Sequence, residues 1–324
     1  MASSIKTLVL LCIATGVGPL LFAQQDPARH GVKHLVDTHI HIYDTERDVY
    51  QPTSVNPVPW PPADDSVLHQ PHLPQEFHRI AESAGVTAVV IVEASPRLDD
   101  NRWVLDLVKG DKLFVGLVGN IDPFQESFGS ALDAFKSEPR FVGVRAHFMN
   151  RGDDFANDQT LANSLRQLAR AGLTLDVLMN GEGSSTIDQV SKIASQFPDL
   201  KIVVNHVLGY DIDGEAPDRV WLDSMQELSR NENVHVKISG LYQRSLVQPA
   251  PQTINFYQGL LEPLWKSFGQ DRLIYGSNWP VTKKSGSYVS FVKLVDSFIS
   301  SKGQEARECF FWRNASRVYG LGLE

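Results

Sequence analysis

Short apolar runs alternate with amphipathic stretches along most of this chain. The runs that read as strands are 36–44, 88–94, 114–120, 141–147, 174–178, 202–206, 235–239 and 273–277. Between them, apolar positions recur at helical spacing, as over 74–84, 99–109, 160–171, 185–197 and 253–268. Strands separated by helical stretches pair in parallel, because a parallel neighbour needs a long crossover rather than a tight turn. Eight such units predict an α/β fold, a single closed (β/α)8 TIM barrel, with extra helices at the C-terminal end. A doubly wound open sheet is the alternative; it lacks support because no glycine-rich fingerprint follows the first strand. One segment breaks the rhythm. Seven prolines between Pro52 and Pro74 rule out a regular helix or a central strand there. Because this stretch follows the first strand, it is expected to fold over the mouth of the barrel, with Trp60 as a contact.

The N-terminal stretch follows different rules. Lys6 precedes a mostly apolar run, Leu8 to Phe22, broken by Gly16, Gly18 and Pro19, and Ala23 offers a small-residue cleavage point. That pattern predicts a signal peptide over 1–23 and a barrel domain over 24–324, with the mature protein periplasmic or secreted. The apolar run falls short of the roughly 20 residues a membrane span needs. Cleavage would remove Cys12 and leave Cys309 as the one thiol, so no intramolecular disulfide is expected. A net charge of −8 with no basic block argues against nucleic acid or an anionic membrane as partner. A small-molecule substrate is the expected partner, and nothing in the pattern indicates an oligomeric state.

Barrel chemistry gathers at the C-terminal ends of strands. Alternation along the first strand puts Asp37, His39, His41 and Tyr43 on one face, opposite Val36, Thr38, Ile40 and Ile42. Imidazoles one residue apart can share a metal ion or a substrate. Glu93 ends the second strand in phase with Val89 and Ile91. Arg145 and His147 lie opposite Val142 and Val144, where the Arg can pair with Glu93 or a substrate carboxylate. His206 ends the sixth strand in phase with Ile202 and Val204. Lys237 alternates against Val236 and Ile238 and is expected inside, holding either a substrate oxyanion or a neighbouring acid. Asn278-Trp279-Pro280 makes an aromatic-walled turn after the eighth strand.

Taken in order, one per strand end, Asp37-Thr38-His39-Ile40-His41, Gly143-Val144-Arg145, Asn205-His206, Lys237-Ile238-Ser239-Gly240 and Tyr275-Gly276-Ser277-Asn278-Trp279-Pro280 resemble the amidohydrolase-related TIM-barrel family. The likeness is to its lactone hydrolases of sugar lactones and of pyrone or muconolactone carboxylates. Phe311-Trp312-Arg313-Asn314-Ala315 is similar to the family's closing helix. The resemblance implies that His39, His41 and His206 surround the hydrolytic water, with or without a divalent metal, and that Arg145 holds substrate. It also implies an Asp base where this chain has Asn278, and an amide cannot accept a proton near neutral pH. Asn278 is therefore expected to orient water, while Glu93 or a neutral His takes the proton. Zn²⁺ or Mn²⁺ on the three histidines would be weakly held, and a metal-free mechanism is open. Arg145, Lys237, His147, Trp279 and Tyr43 are expected around the substrate. The implied activity is opening of a sugar-acid or aromatic-breakdown lactone. The alternatives are a non-catalytic acidic-sugar binder that lost its base, and a decarboxylase of the same barrel type.

Overall fold

A computed structural model describes residues 31–148, 151–179 and 183–324; the expected signal segment lies outside them. Eight strands are present: β1 (Val36–Ile40), β2 (Ala88–Val92), β3 (Phe114–Asn120), β4 (Phe141–His147), β5 (Thr174–Leu178), β6 (Ile202–Val204), β7 (Val234–Ile238) and β8 (Leu273–Tyr275). They form one sheet in sequence order, each pair parallel. The ends meet: Ile40 bridges Trp279 in parallel, His41 N donates to Trp279 O and Asn278 N to His39 O, both at 2.8 Å. The expected TIM barrel is the fold observed.

The crossovers are α1 (Pro74–Ala84), α2 (Leu98–Leu107), α3 (Phe128–Asp133), α4 (Gln159–Arg170), α5 (Ser184–Gln196), α6 (Arg219–Ser229), α7 (Leu241–Arg244) and α8 (Gln258–Phe268). Then follow α9 (Tyr288–Ser300), α10 (Gln304–Glu308), a π turn (Cys309–Arg313) and α11 (Asn314–Tyr319). Local chemistry starts and stops them. Pro74 stands at the first position of α1 and left-handed Gly85 ends it. Asp158 and Asp218 cap α4 and α6 by accepting from backbone N–H groups three residues on.

Two apolar layers hold the barrel. The larger packs Leu35, Ile40, Val89, Ile91, Val204 and Tyr275 against the helices. The smaller gathers Val36, Val90, Val92, Val118, Val203 and Ile274 from different strands with Val318 and Tyr319 of α11. Side chains from strands around the whole circuit can share one cluster only inside the cylinder. It lies toward the strand starts, where α11 seals that end.

The layers correct the expected alternation. Val36 and Ile40 fall in different layers because the pairing register shifts between Asp37 and Ile40. Val89, Ile91 and Val204, expected on the site face, pack against the helices instead. His206 and Asn278 reach the cavity through irregular, left-handed backbone beyond the strand ends.

Candidate active site

A cavity of about 590 Å³ opens at the C-terminal ends of the strands. His41, Glu93, Arg145, His147, His206 and Asn278 line its base. Pro59 and Trp60 of the proline-rich segment form part of its wall, as expected of a loop over the mouth, and the Trp60 ring stands 5.3 Å from that of His41. Asn120, Asp122, Arg151 and Gln243 contribute further polar surface.

Three imidazoles meet at the floor, with His39 at 4.4 Å from His206 and 5.1 Å from His41 between ring centroids. They arrive by two backbone routes. His39 and His41 sit where β1 joins the β8 turn. His206 leaves β6 in the left-handed region (φ 51°), and Val207 and Leu208 follow it there at 48° and 62°. Left-handed backbone costs roughly 1–2 kcal/mol per residue for L-amino acids, so the surrounding packing must hold this turn. Gly240, also left-handed at φ 65°, makes room for the ring: a Cβ there would lie 2.8 Å from His206 Nδ1. Asn278 has φ 59°, a conformation Asn tolerates better than most residues.

Hydrogen bonds assign the protons. His41 Nδ1 lies 3.1 Å from Val92 O and 3.0 Å from Glu93 O, so it carries the hydrogen and Nε2 keeps the lone pair. Asn278 Oδ1 is 3.2 Å from that Nε2. Two acceptors cannot bond each other, so the amide turns its Nδ2 toward the imidazole and leaves its oxygen for the cavity. His206 Nδ1 donates to Ser239 Oγ at 2.9 Å, while Nε2 accepts from the Arg145 guanidinium at 3.3 Å. Burial, and next Arg145, lower His41 to a pKa of about 4. Burial, then Arg145, holds His206 well below the usual imidazole range. His39 is lowered likewise by burial and then by His206. All three are neutral at pH 7.

Glu93 pairs with Arg145, one of the two roles open to that residue, and also engages His147. Arg145 NH1 donates to Oε1 at 3.3 Å and His147 Nε2 donates to the same oxygen at 2.9 Å. Burial alone would raise this carboxyl, but the His147 hydrogen bond and the Arg145 charge hold it at about 2. On the cavity wall Arg151 reaches both oxygens of Asp122, at 3.3 and 3.2 Å.

Three expected substrate contacts lie elsewhere. Lys237 is fully buried, donating to Asp176 Oδ2 at 2.7 Å and Thr38 O at 2.8 Å. It is the buried ion pair of the two roles open to it, with no surface on the cavity. Trp279 is buried between the rings of His72 and Phe77. Tyr43 donates to Leu68 O and packs edge-on to Trp60, supporting the wall from behind. His39 is also fully buried, and neither of its ring nitrogens has a hydrogen-bond partner among the described residues. Asp176 was missed by the sequence reading, although an Asp inside the apolar run Thr174–Leu178 was its visible signal. Asp122, Arg151 and Gln243 lie outside the strands and carried none.

The donor set does not fit a resident divalent cation. The guanidinium of Arg145 already occupies His206 Nε2, Asn278 brings a neutral amide, and Glu93 is engaged through Oε1 by two donors. Among the described residues no three His, Cys, Asp or Glu side chains are grouped to hold a metal. The weakly held Zn²⁺ or Mn²⁺ foreseen on His39, His41 and His206 therefore has no centre in this arrangement.

A model of the amidohydrolase family matches residues 36–321. An L-fucono-1,5-lactonase of Burkholderia ambifaria is 25% identical over 88% of this chain and 95% of its own length. An amidohydrolase of Burkholderia multivorans, solved with bound zinc, superposes with a TM-score of 0.76 at 21% identity, covering 89% of this chain and 99% of that one. A probable 2-pyrone-4,6-dicarboxylic acid hydrolase of Acinetobacter baumannii, solved with citric acid, gives 0.66 at 18% identity over 89% and 99%.

Proposed function

The chain belongs to the amidohydrolase family, and from that premise we propose that it opens an uncharged, hydroxyl-rich lactone by direct attack of water. The L-fucono-1,5-lactonase relative supports a cyclic ester as substrate. The observation that carries the choice is the pairing of charge in the cavity. Arg145 is balanced by Glu93 and Arg151 by Asp122, so the charged groups lining the cavity leave no net positive charge to draw in a substrate carboxylate. An anionic lactone would meet the Glu93 and Asp122 carboxylates along with the two guanidiniums and gain no net attraction. Asn120, Gln243 and Asn278 offer amides to hydroxyls, and Trp60 offers a flat apolar face to a sugar ring.

The residues divide the work. Trp60 and the amides seat the ring, and the exclusion of bulk water strengthens each polar contact. Arg145 stands in the base of the cavity with its charge close to the reacting carbonyl, where it stabilises the developing oxyanion. Asn278, its nitrogen engaged by His41, presents its oxygen to the attacking water and fixes its direction. His41 and His206 stay neutral and add no charge that would repel Arg145. A decarboxylase of this barrel type needs a tightly held metal, for which the donor set makes no provision.

The reading is tested by steady-state hydrolysis of neutral sugar δ-lactones against pyrone dicarboxylates, with the protein chelator-treated and then given Zn²⁺ or Mn²⁺. Neutral lactones should be preferred by about tenfold or more in kcat/KM, the effect of about 1.4 kcal/mol, with no dependence on added metal. Preference for the dicarboxylates, or no ring opening at all, would overturn it.

A further inference from the structure

Resting on the lactone reading, we propose that His147, oriented by Glu93, is the general base that takes the proton from the attacking water. Asn278 cannot do this, so the proton must go to another group on the cavity. Each competitor is disqualified by its own contacts. His206 Nε2 already accepts from Arg145. His41 Nε2 accepts from the Asn278 amide, and its low proton affinity gives little driving force. Glu93 accepts from both Arg145 and His147 on Oε1, and those partners hold its proton affinity too low to take a proton from water. Asp122 accepts from Arg151, from Phe124 N at 3.0 Å and from the Gln125 amide at 3.2 Å. His39 has no surface on the cavity.

His147 differs from all of them. Its side chain is 39% exposed and lines the cavity. Its Nε2–H is committed to the Glu93 carboxylate at 2.9 Å, which fixes the tautomer with the lone pair on Nδ1. That nitrogen has no hydrogen-bond partner among the described residues. A carboxylate behind an imidazole orients the ring and stabilises the imidazolium that forms. Glu93 is thus a positioning residue, itself held ionised by Arg145.

The step balances without any further reactant. The water oxygen bonds to the lactone carbonyl carbon, the carbonyl π pair moves to its oxygen, and one water proton passes to His147 Nδ1. On collapse the ring C–O bond breaks, its electron pair stays on the ring oxygen, and that oxygen takes the proton back from Nδ1. The product is the open hydroxy acid, and His147 is again neutral.

The test compares wild type, His147→Gln, His147→Ala and Glu93→Gln on a neutral sugar δ-lactone that the wild type opens. Loss of a general base predicts a fall in kcat of about 10²–10⁴ for both His147 variants, with KM moved by no more than about threefold. Imidazole added to the buffer should restore part of the activity of His147→Ala and none of that of Glu93→Gln. Nitrogen-15 spectra of the histidine rings provide a readout independent of turnover: hydrogen on Nε2 alone in wild type, and a mixture of tautomers in Glu93→Gln. A His147→Gln variant as active as wild type, or hydrogen on Nδ1 in wild type, would overturn the assignment. A wild type that opens no lactone removes the reaction and its base together; this outcome is distinguished because the unaltered protein is then itself inert.

Discussion

At the residue scale, Asn278 is the position where this chain departs from the pattern it otherwise resembles. Its nitrogen faces a lone pair on His41. Asn278→Asp would set a carboxylate oxygen against that lone pair, a contact relieved only if Nε2 takes up a proton. The substitution should therefore raise the His41 pKa from about 4 by roughly 1–2 units, read by NMR titration of the ring, and should not increase kcat. A large gain in turnover would instead mark the wild-type barrel as an enzyme that has lost its base. Residues on which the reading depends were visible in the sequence because each is an ionisable or amide group closing an apolar run, as Glu93 and His206 do. Asp122 and Arg151 were not visible, since a polar loop residue looks alike whether or not it meets a cavity.

At the scale of elements, the ends of strands matter more than their middles. Strand β4 reached its expected limits, and Arg145 faces the cavity as alternation requires. Strand β6 stops at Val204, two residues short, because the chain turns left-handed at His206. That turn, not the phase of Ile202 and Val204, carries the imidazole inward. Strand β5 supplies Asp176, which accepts from Lys237 and Asn205 and from Tyr319 Oη at 3.0 Å. This buried node ties β6, β7 and the sealing helix α11 beneath the site. Asp176→Asn leaves Lys237 as an uncompensated buried charge and should cost about 3–5 kcal/mol in urea denaturation. The double variant Asp176→Asn with Lys237→Met should recover part of that loss. Equal instability of the single and double variants would show that the ion pair is not the origin of the effect.

At the scale of the whole molecule, burial of neutral imidazoles sets the response to acid. His39, His41, His206 and His235 all have lowered proton affinity in the fold, His41 and His235 to about 4, each chiefly through burial. An unfolded chain protonates them near pH 6.5, so between that pH and their folded values the unfolded state binds more protons. Stability is therefore intact above about pH 6.5 and falls as pH drops, by up to about 1.4 kcal/mol per pH unit for each group. Glu93 adds a second loss lower down, as pH falls from about 4.3 toward about 2. Thermal unfolding followed from pH 7.5 to pH 4 should show Tm nearly constant at first and then falling steeply below about pH 6.5; a flat profile to pH 4.5 would contradict the buried, neutral assignment.

Sequence alone determined the parallel βα alternation, the closed barrel it implies and the polar residues that terminate its strands. These follow from local rules: side-chain period, helix spacing and the backbone limits of proline. Only the tertiary structure decided which of those residues face the cavity and which lock the barrel beneath it. Lys237 and Asp176 are 61 residues apart, and no period along one strand can report a partner on another. The register shift in β1 and the left-handed turn at His206 likewise arise from closing eight staggered strands into one cylinder, a constraint that no single strand carries.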